Sequence, residues 1–334
     1  MSYRVEPGFV TSWSPSNRES PCYRSTRVAT TILFLHGMAG GHLERDGRNV
    51  WLSASGLMRG AIGSELQGAL NPAGHIKLFH RPAAIYWRSR GFAVREFAYD
   101  WRLSLDAAAA QLRETIAAVP IAERVLIAAH SMGGCVACRF SALYPSEARR
   151  VERAFFFGVP VRGTFAAVEV LLGQFILPRL VAGASLFRRR TQVLADLSRA
   201  CSAMPGLIEL LPDPALFPSA SILYERRYWP PECAPEQVLL DRALVLKREM
   251  PVSPLLDRTT VLAASRWPTP VGVELAGGVL RLTRETAPGD RVTPFASATP
   301  RSGMDVHALR FPHAVLLFEP SGLRRVCSTG ETRR

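Results

Sequence analysis

The sequence is poor in lysine. Lys77 and Lys247 are the two lysines among 41 basic residues, so the formal charge of +13 is carried almost entirely by arginine. The arginines are scattered along the chain and form no run longer than the triplet Arg188, Arg189 and Arg190. Nucleic-acid-binding chains usually carry basic clusters with interleaved aromatic residues. We therefore predict no nucleic-acid partner, in spite of the high charge.

Long hydrophobic runs are also lacking. The longest apolar stretch, residues 165–187, is interrupted by Glu169, Pro178 and Arg179, which argues against an unbroken membrane span. Residues 1–28 are rich in serine, proline and arginine and contain no apolar core of the kind found in signal peptides. We expect an N-terminal arm over residues 1–28 and a cytoplasmic protein.

The six cysteines are few for a chain of 334 residues and have no repeating spacing, so a disulfide framework is not expected. Cys135 and Cys138 form a CxxC pair, a spacing that also occurs in metal and redox sites. No second pair accompanies it, and the pair lies in a predicted buried helix. We therefore predict reduced thiols, no metal site and no cofactor.

The hydrophobic residues that are present, 48% of the chain, occur in short runs that alternate with helix-like segments. Such alternation predicts an α/β fold, in which a mostly parallel sheet is flanked by helices. The predicted strands are residues 30–37, 92–100, 124–131, 153–160, 259–265, 281–283 and 305–311, and the predicted helices are residues 104–119, 133–144 and a last helix from about residue 314.

The alternating pattern stops over residues 163–256, which are helical and proline-rich in character. Ligands of open α/β sheets bind at the carboxyl edge of the strands. We therefore predict that this segment is a cap or lid over that edge. The core then consists of residues 29–162 and 257–327, and residues 328–334 form a C-terminal tail.

The most specific motif is VLIAAHSMGGCVACRF at residues 125–140. A buried strand followed by a sharp turn and a helix exposes a serine hydroxyl at the turn, provided that the residues two positions away on either side are small. Ala129 and Gly133 meet this requirement around Ser131, which we predict to be a nucleophile. The N–H of Met132, at the positive end of the following helix, is a predicted oxyanion donor. The alternative is a serine that only caps the helix.

A second glycine-rich turn, FLHGMAGG at residues 34–41, follows the first predicted strand. In this type of fold the loop at that position supplies the other oxyanion N–H, so Met38 is the candidate. We expect His36, Gly37 and His130 to support the site. The turn lacks both GxGxxG and a GK[ST] ending, which argues against nucleotide binding.

A serine nucleophile needs a base and an orienting carboxylate, and in α/β-hydrolases the chain order is serine, acid, histidine. Asp290, in a Gly-Asp turn, and His313, between the last strand and the last helix, meet this order. His307 is a rival base, although its predicted position is within a strand. Three rival acids have no comparable turn: Asp241, Asp257 and Asp305.

With these residues identified, the chain resembles the lecithin:cholesterol acyltransferase-like branch of the α/β-hydrolases. The segments that carry the resemblance occur in the family's order: NVWLS (49–53), GFAVREFAYDWRLS (91–104), AAHSMGG (128–134), FFFGVPVRGT (155–164), MPGLIELLP (204–212) and GDRVTPFASA (289–298). The resemblance implies Ser131, Asp290 and His313 as the triad and Met38 and Met132 as the oxyanion hole.

The resemblance also assigns Asp100, Trp101 and Arg102 to the family's YDWR segment, which we interpret as packing and loop-positioning near the pocket. There are two departures from the family's pattern. Arg291 follows Asp290 where the family's GDG[TS]VP segment has glycine, a change that would crowd the acid loop. The family's disulfide-stabilised lid is not recognisable.

The resemblance implies a serine-dependent acyltransferase or lipase/esterase that acts on an acyl ester or thioester through an acyl-enzyme. Two alternatives stay open: a carboxylesterase or thioesterase that transfers the acyl group to water, and a non-catalytic lipid-binding or interaction module. Arg188 to Arg190 and Arg291 suggest an acyl donor with an anionic headgroup or carrier. The apolar lid is typical either of an ordinary packed cap helix or of a segment in weak contact with a membrane surface.

Overall fold

The computed structural model describes residues 29–331, so the predicted N-terminal arm lies outside the described residues. The strands are β1 Thr30–Leu35, β2 Gly41–Arg45, β3 Arg48–Asn49, β4 Asn71–His75, β5 Ala93–Phe97, β6 Arg124–His130, β7 Val151–Phe157, β8 Thr259–Ala264, β9 Trp267–Pro270, β10 Val273–Ala276, β11 Val279–Leu282, β12 Thr286–Gly289 and β13 Asp305–Leu309. The α-helices are α1 Ala54–Arg59, α2 Ile62–Glu65, α3 Lys77–Ser89, α4 Leu105–Ala117, α5 Met132–Leu143, α6 Pro145–Ala148, α7 Ala166–Leu171, α8 Ile176–Gly183, α9 Arg190–Ser202, α10 Pro205–Ile208, α11 Gln237–Glu249, α12 Phe295–Ala298 and α13 Pro320–Glu331. Short 3₁₀ helices cover Pro218–Tyr224, Arg226–Tyr228, Met250–Val252, Pro254–Arg258 and His313–Phe318.

Six strands form the central sheet, in the order β13-β8-β7-β6-β1-β5, and every neighbouring pair is parallel. The strands at its centre are continuous apolar runs, as expected where helices cover both faces of a sheet. Alternate residues of β1 show this, because Ile32 and Phe34 pack into one hydrophobic cluster while Leu33 and Leu35 pack into the other. The predicted α/β-hydrolase architecture, a parallel sheet flanked by helices, is confirmed.

Helices from different parts of the chain cover the two faces of the sheet. On one face, α3 and α13 contribute Trp87 and Val326 to the smaller cluster. On the other face, α4 and α5 contribute Leu112 and Val136 to the larger cluster, which also includes the helices that follow β7. The last helix, α13, continues to Glu331, four residues beyond the end predicted for the core.

Three small antiparallel sheets lie outside the central one: β3-β2-β4, β10-β11 and β9-β12. The predicted strand at residues 281–283 overlaps β11, which pairs only with β10 and takes no part in the central sheet. The sheet of β2, β3 and β4 was not predicted. Its strands are short, half exposed and poor in β-branched residues, so they carry little of the periodic signal on which such predictions depend.

The chain between β7 and β8 is helical and contains no strand. Residues Ala166–Gly183 have the length and the mean hydropathy, 1.5, of a membrane-spanning helix, and 39% of the segment is buried in the protein. The structure divides this segment into α7 and α8. The boundaries of the cap, residues 163–256, stay a prediction.

Glu209, a buried residue of this helical segment, makes polar contacts both within the segment and to the core. The Lys247 ammonium on α11 donates to the Glu209 carbonyl at 2.6 Å, and a Glu209 carboxylate oxygen accepts from the Leu105 N–H at 2.6 Å. Leu105 begins α4, whose first N–H groups have no partner within the helix. Burial raises the pKa of the Glu209 carboxyl to about 7 and lowers the pKa of Lys247 to about 8.

Candidate active site

Ser131 lies at the turn between β6 and α5. Its backbone is strained, with φ 53° and ψ −128°, a conformation that non-glycine residues rarely adopt. Its N–H donates to the Phe157 carbonyl on the neighbouring strand at 2.9 Å, which holds the turn in place. Residue 133 must be small, as predicted, because a Cβ at Gly133 would lie 2.6 Å from the His36 carbonyl oxygen.

Asp290 and His313 form a hydrogen-bonded pair at the carboxyl edge of the sheet. The His313 Nδ1 lies 2.8 Å from Asp290 Oδ2, and the His313 backbone N–H donates to the Asp290 carbonyl at 2.9 Å. The other carboxylate oxygen accepts from the N–H groups of Val292 at 3.0 Å and Thr293 at 2.6 Å. Both side chains are buried, and hydrogen bonds to both carboxylate oxygens hold Asp290 in one orientation.

The rival acids make ion pairs or hydrogen bonds with residues other than His313, and the rival base lies within a strand. Asp257 pairs with Arg301, and Asp305 pairs with Arg153 and Arg325 at the other end of β13. Asp241 accepts from Gln237 at 2.8 Å. His307 lies within β13, paired in register with Leu262.

Gly158 is a site residue that sequence reasoning missed. It follows β7 with φ 58°, and a Cβ at this position would lie 2.7 Å from Asp290 Oδ2 and 3.0 Å from His313 Nδ1. Only glycine allows the carboxylate and the imidazole to approach the strand end so closely. The available signal was FFFGVP, a glycine directly after a strand, but sequence alone did not indicate what would face it.

The predicted oxyanion loop lies against the serine turn. Gly37 backs onto Ser131, and its carbonyl accepts from His36 Nδ1 at 2.7 Å. The N–H groups of Met38 and Met132 have no acceptor within residues 29–331. Unpaired backbone N–H groups are the kind of donor that can stabilise negative charge on a substrate oxygen.

Ser131 and His313 line the same cavity, which has a volume of about 150 Å³ and is almost entirely apolar. Its walls come from the oxyanion loop, from Trp101 and from the helices α7 to α10. Apart from Ser131, Thr164 and His313, the lining residues are Met38, Ala39, Trp51, Leu66, Trp101, Ala166, Ala167, Val170, Phe175, Leu177, Pro178, Val181, Leu197, Cys201, Met204, Leu207, Leu210 and Val292. Neither arginine nor lysine is among them.

Trp101 and its neighbours set one wall of this cavity. The Trp101 indole N–H donates to the Gly41 carbonyl at 3.2 Å. Asp100 and Arg102 form a buried bidentate ion pair with bonds of 2.9 and 2.5 Å, and Arg102 also donates to the carbonyls of Leu66 and Gly68. Because Leu66 also lines the cavity, this ion pair fixes a loop of the wall rather than offering charge to a ligand.

A cluster of four buried histidines, His36, His75, His80 and His130, lies behind the oxyanion loop. Their rings are 4.9 to 6.3 Å apart, and the His130 ring lies 4.8 Å from that of His313. His130 Nε2 lies 3.1 Å from the His313 carbonyl, which connects the residue before Ser131 to His313. Burial is the main cause that lowers the pKa of all four histidines, to about 3 for His80.

These imidazoles are therefore neutral at neutral pH. Within residues 29–331 no group of three histidine, cysteine or acidic side chains is arranged to hold a metal ion. Cys135 and Cys138 are buried in α5 directly after the serine turn, and burial raises the pKa of the Cys135 thiol to about 12. The pair therefore carries little thiolate, the form that binds metals and attacks disulfides.

Comparison with known proteins gives two kinds of likeness. The sequence profile of the Lecithin:cholesterol acyltransferase family matches residues 87–234, a segment that includes Asp100, Ser131 and most of the predicted cap but ends before Asp290. Curated protein sequences give no match. Among solved structures, a chain of the Tle4–Tli4 complex superimposes with a TM-score of 0.67 at 12% identity, over 92% of this chain and 99% of that chain.

The mature form of the lipase BlEst2 from Bacillus licheniformis gives a TM-score of 0.49 at 10% identity, over 95% of this chain and 96% of that chain. At 12% identity, the likeness to the Tle4–Tli4 chain concerns the fold. It agrees with the strand order described above, and the sequence match includes the turn that carries Ser131. The chain has the α/β-hydrolase fold, and its residues 87–234 are similar to the lecithin:cholesterol acyltransferase family.

Proposed function

We propose that the protein is a serine-dependent acyl-transfer enzyme that acts on an acyl ester or thioester. The observation that carries the proposal is the 2.8 Å hydrogen bond between Asp290 and His313 at a cavity that His313 shares with Ser131. A non-catalytic lipid-binding module has no need for a strained serine or for a buried carboxylate that orients an imidazole. The match of residues 87–234 to an acyltransferase family supports the same reaction class.

In the proposed mechanism, His313 removes the proton of the Ser131 hydroxyl as the serine oxygen attacks the acyl carbonyl. Asp290 holds the imidazole with its Nδ1–H toward the carboxylate, so that Nε2 is free to act as base. The N–H groups of Met38 and Met132 bind the oxyanion, and the apolar cavity holds the acyl chain. His313 then returns the proton to the leaving alcohol or thiol, and an acceptor releases the acyl group from Ser131.

The first test is Ser131→Ala, with Ser141→Ala as the matched control. Ser141 is another buried serine on α5, and its hydroxyl has no hydrogen-bond partner among residues 29–331. Ser131→Ala should remove labelling by a fluorophosphonate probe and lower turnover of p-nitrophenyl esters by at least about 10³-fold. Ser141→Ala should retain both. Turnover that survives in Ser131→Ala would show that another group performs the reaction.

Transfer to an alcohol and hydrolysis by water are distinguished by the second step. We would supply p-nitrophenyl esters of graded chain length with and without alcohol acceptors, and measure the ester product against the free acid. A dominant ester product indicates an acyltransferase. Free acid alone, at every acceptor concentration, indicates an esterase or thioesterase.

We also propose that the cap contacts a membrane surface. We define the lid patch of the cap as four exposed apolar residues, Ile176, Leu180, Leu186 and Phe187. Their exposed fractions are 60, 62, 72 and 77%. The opposite side of α8 lines the cavity through Leu177, Pro178 and Val181, so the patch covers the acyl pocket. Exposed Arg179, Arg189 and Arg190 flank the patch and favour an anionic surface.

Flotation of the protein with anionic and neutral liposomes tests this contact. Binding to anionic liposomes should weaken in a Leu180→Ser, Phe187→Ser variant, whereas Val238→Ser, at an exposed apolar residue elsewhere on the cap, should have no effect. Failure of the wild type to float with either lipid would refute the contact. The anionic acyl donor stays a prediction, since neither Arg188 to Arg190 nor Arg291 lines the cavity. The cytoplasmic location also stays a prediction.

A further inference from the structure

The loop that carries the acid contains an unusual residue, Arg291. It has φ 80°, in the left-handed region that glycine adopts freely and a long side chain rarely adopts. The segment that this loop resembles has glycine at the position. An arginine retained in a conformation that costs free energy indicates that its side chain makes a compensating contact.

That contact is to β9. The Arg291 guanidinium lies over the Trp267 ring, 4.2 Å from its centroid, and the Arg291 N–H donates to the Thr269 hydroxyl at 2.9 Å. Within residues 29–331 Arg291 has no carboxylate partner, so the aromatic ring is the main contact of its charged group. A guanidinium over an indole face is a favourable cation–π pair.

Trp267 in turn contacts the loop of the base. Its indole N–H donates to the Arg310 carbonyl at 2.9 Å, three residues before His313. Trp267 is also bridged to Asp290 through the backbone. One tryptophan therefore touches both loops that supply the acid and the base.

The backbone of Arg291 also determines where the carboxylate of Asp290 finds its donors. The N–H groups of Val292 and Thr293, the next two residues, are the ones that bind Asp290 Oδ1. A change in φ at residue 291 would redirect both N–H groups. The orientation of the carboxylate thus depends on a residue that is itself held by Trp267.

We propose that Arg291 and Trp267 form a clamp that positions Asp290 against His313, and that they are positioning residues for the reaction. This inference rests on the proposed function, because it concerns the acid and base of that reaction. The departure from the glycine pattern is then functional rather than a defect of the loop. The clamp acts on the geometry of the Asp290–His313 pair, and neither Arg291 nor Trp267 lines the acyl cavity.

The test is a double-mutant cycle on the full chain with Arg291→Gly and Trp267→Leu. Arg291→Gly should lower kcat about three- to fivefold, Trp267→Leu about tenfold, and the double variant no more than Trp267→Leu alone. KM should stay within about twofold, because neither substituted side chain lines the cavity. Trp267→Phe keeps a ring for the guanidinium but loses the N–H donor, and should fall between wild type and Trp267→Leu. Arg266→Ala, at the exposed neighbouring arginine, is the control.

Thermal unfolding separates positioning from a general loss of structure. Arg291→Gly removes the strained φ and should have a melting temperature no lower than that of the wild type, while its kcat falls. A low-field proton resonance from the His313 Nδ1–H, recorded without substrate, should weaken in Arg291→Gly and Trp267→Leu and persist in Arg266→Ala. An unchanged resonance and unchanged kcat, or additive effects in the cycle, would overturn the clamp. A wild type without turnover would instead refute the proposed function, and the resonance would still decide on the clamp.

Discussion

Acid should destabilise this protein through its buried histidines, and His80 allows the effect to be calculated. Burial, and then the neighbouring His75, lower the pKa of His80 to about 3 in the folded state. In the unfolded chain the ordinary histidine pKa of about 6.5 applies. Below pH 6.5 the unfolded chain therefore binds a proton that the folded chain does not, so the free energy of unfolding falls as the pH falls from about 6.5 toward 3.

The slope from one such group is up to about 1.4 kcal/mol per pH unit, so His80 alone costs about 2 kcal/mol at pH 5. His36, His75 and His130 act in the same direction, because burial lowers the pKa of each. The value for His80 is therefore a lower limit for the cluster. Since a domain is typically stable by about 5 to 15 kcal/mol, the loss at pH 5 is a large fraction of the total.

Urea unfolding of the wild type at pH 7.5, 6.5, 5.5 and 5.0, followed by circular dichroism, measures this slope. His80→Phe should reduce the pH slope of the free energy of unfolding by up to the contribution of one bound proton. At neutral pH the variant should be less stable than the wild type by about 1 kcal/mol, because the hydrogen bond to the Ile76 carbonyl is lost. Leu78→Gln, on the same helix at a residue that is 73% exposed, is the control. A slope that is the same in the wild type and His80→Phe would refute the reasoning.

Three further predictions follow from single contacts. Gly158→Ala should lower kcat by at least about tenfold, because the added Cβ collides with the Asp290 carboxylate. Steady-state kinetics measures this loss, and a circular dichroism spectrum checks that the variant is folded. Full activity would contradict the contact. Cys201→Phe, on the cavity wall, should shift the preference among p-nitrophenyl esters to shorter chains, and an unchanged profile would place the acyl chain elsewhere. Glu209→Ala removes the buried acceptor of the Leu105 N–H and should lower the free energy of unfolding by about 1 to 3 kcal/mol in urea titrations; no loss would mean that water replaces the carboxylate.

The features that sequence predicted well are those with local causes. A nucleophile turn demands an apolar strand, small residues around Ser131 and a helix, and all three requirements lie within sixteen residues, 125–140. The parallel sheet was predictable for the same reason, since each buried strand is a continuous apolar run. The structure also brings Asp290 and His313 together, two residues chosen from sequence by their order and their turns.

The features that sequence missed depend on contacts between distant segments. His75 ends β4 and His80 lies on α3, and nothing in the local pattern indicates that both rings reach His36. The strand predicted at residues 281–283 was expected to belong to the central sheet, but it overlaps β11, which pairs with β10. Arg291 was expected to crowd the acid loop, and the structure shows that it adopts the conformation of a glycine and stacks on Trp267.

The neutral histidine cluster lies beside His313, which is the base in the proposed mechanism. In the proposed mechanism His313 becomes a cation when it takes the proton of Ser131, and the His130 ring lies only 4.8 Å away. A second charge at that distance would oppose the step by about 3 kcal/mol at an effective dielectric constant of about 20, a slowing of about a hundredfold. The burial that makes the cluster sensitive to acid is therefore what keeps it uncharged at neutral pH. The same requirement fits the absence of arginine from the cavity wall in a chain of charge +13.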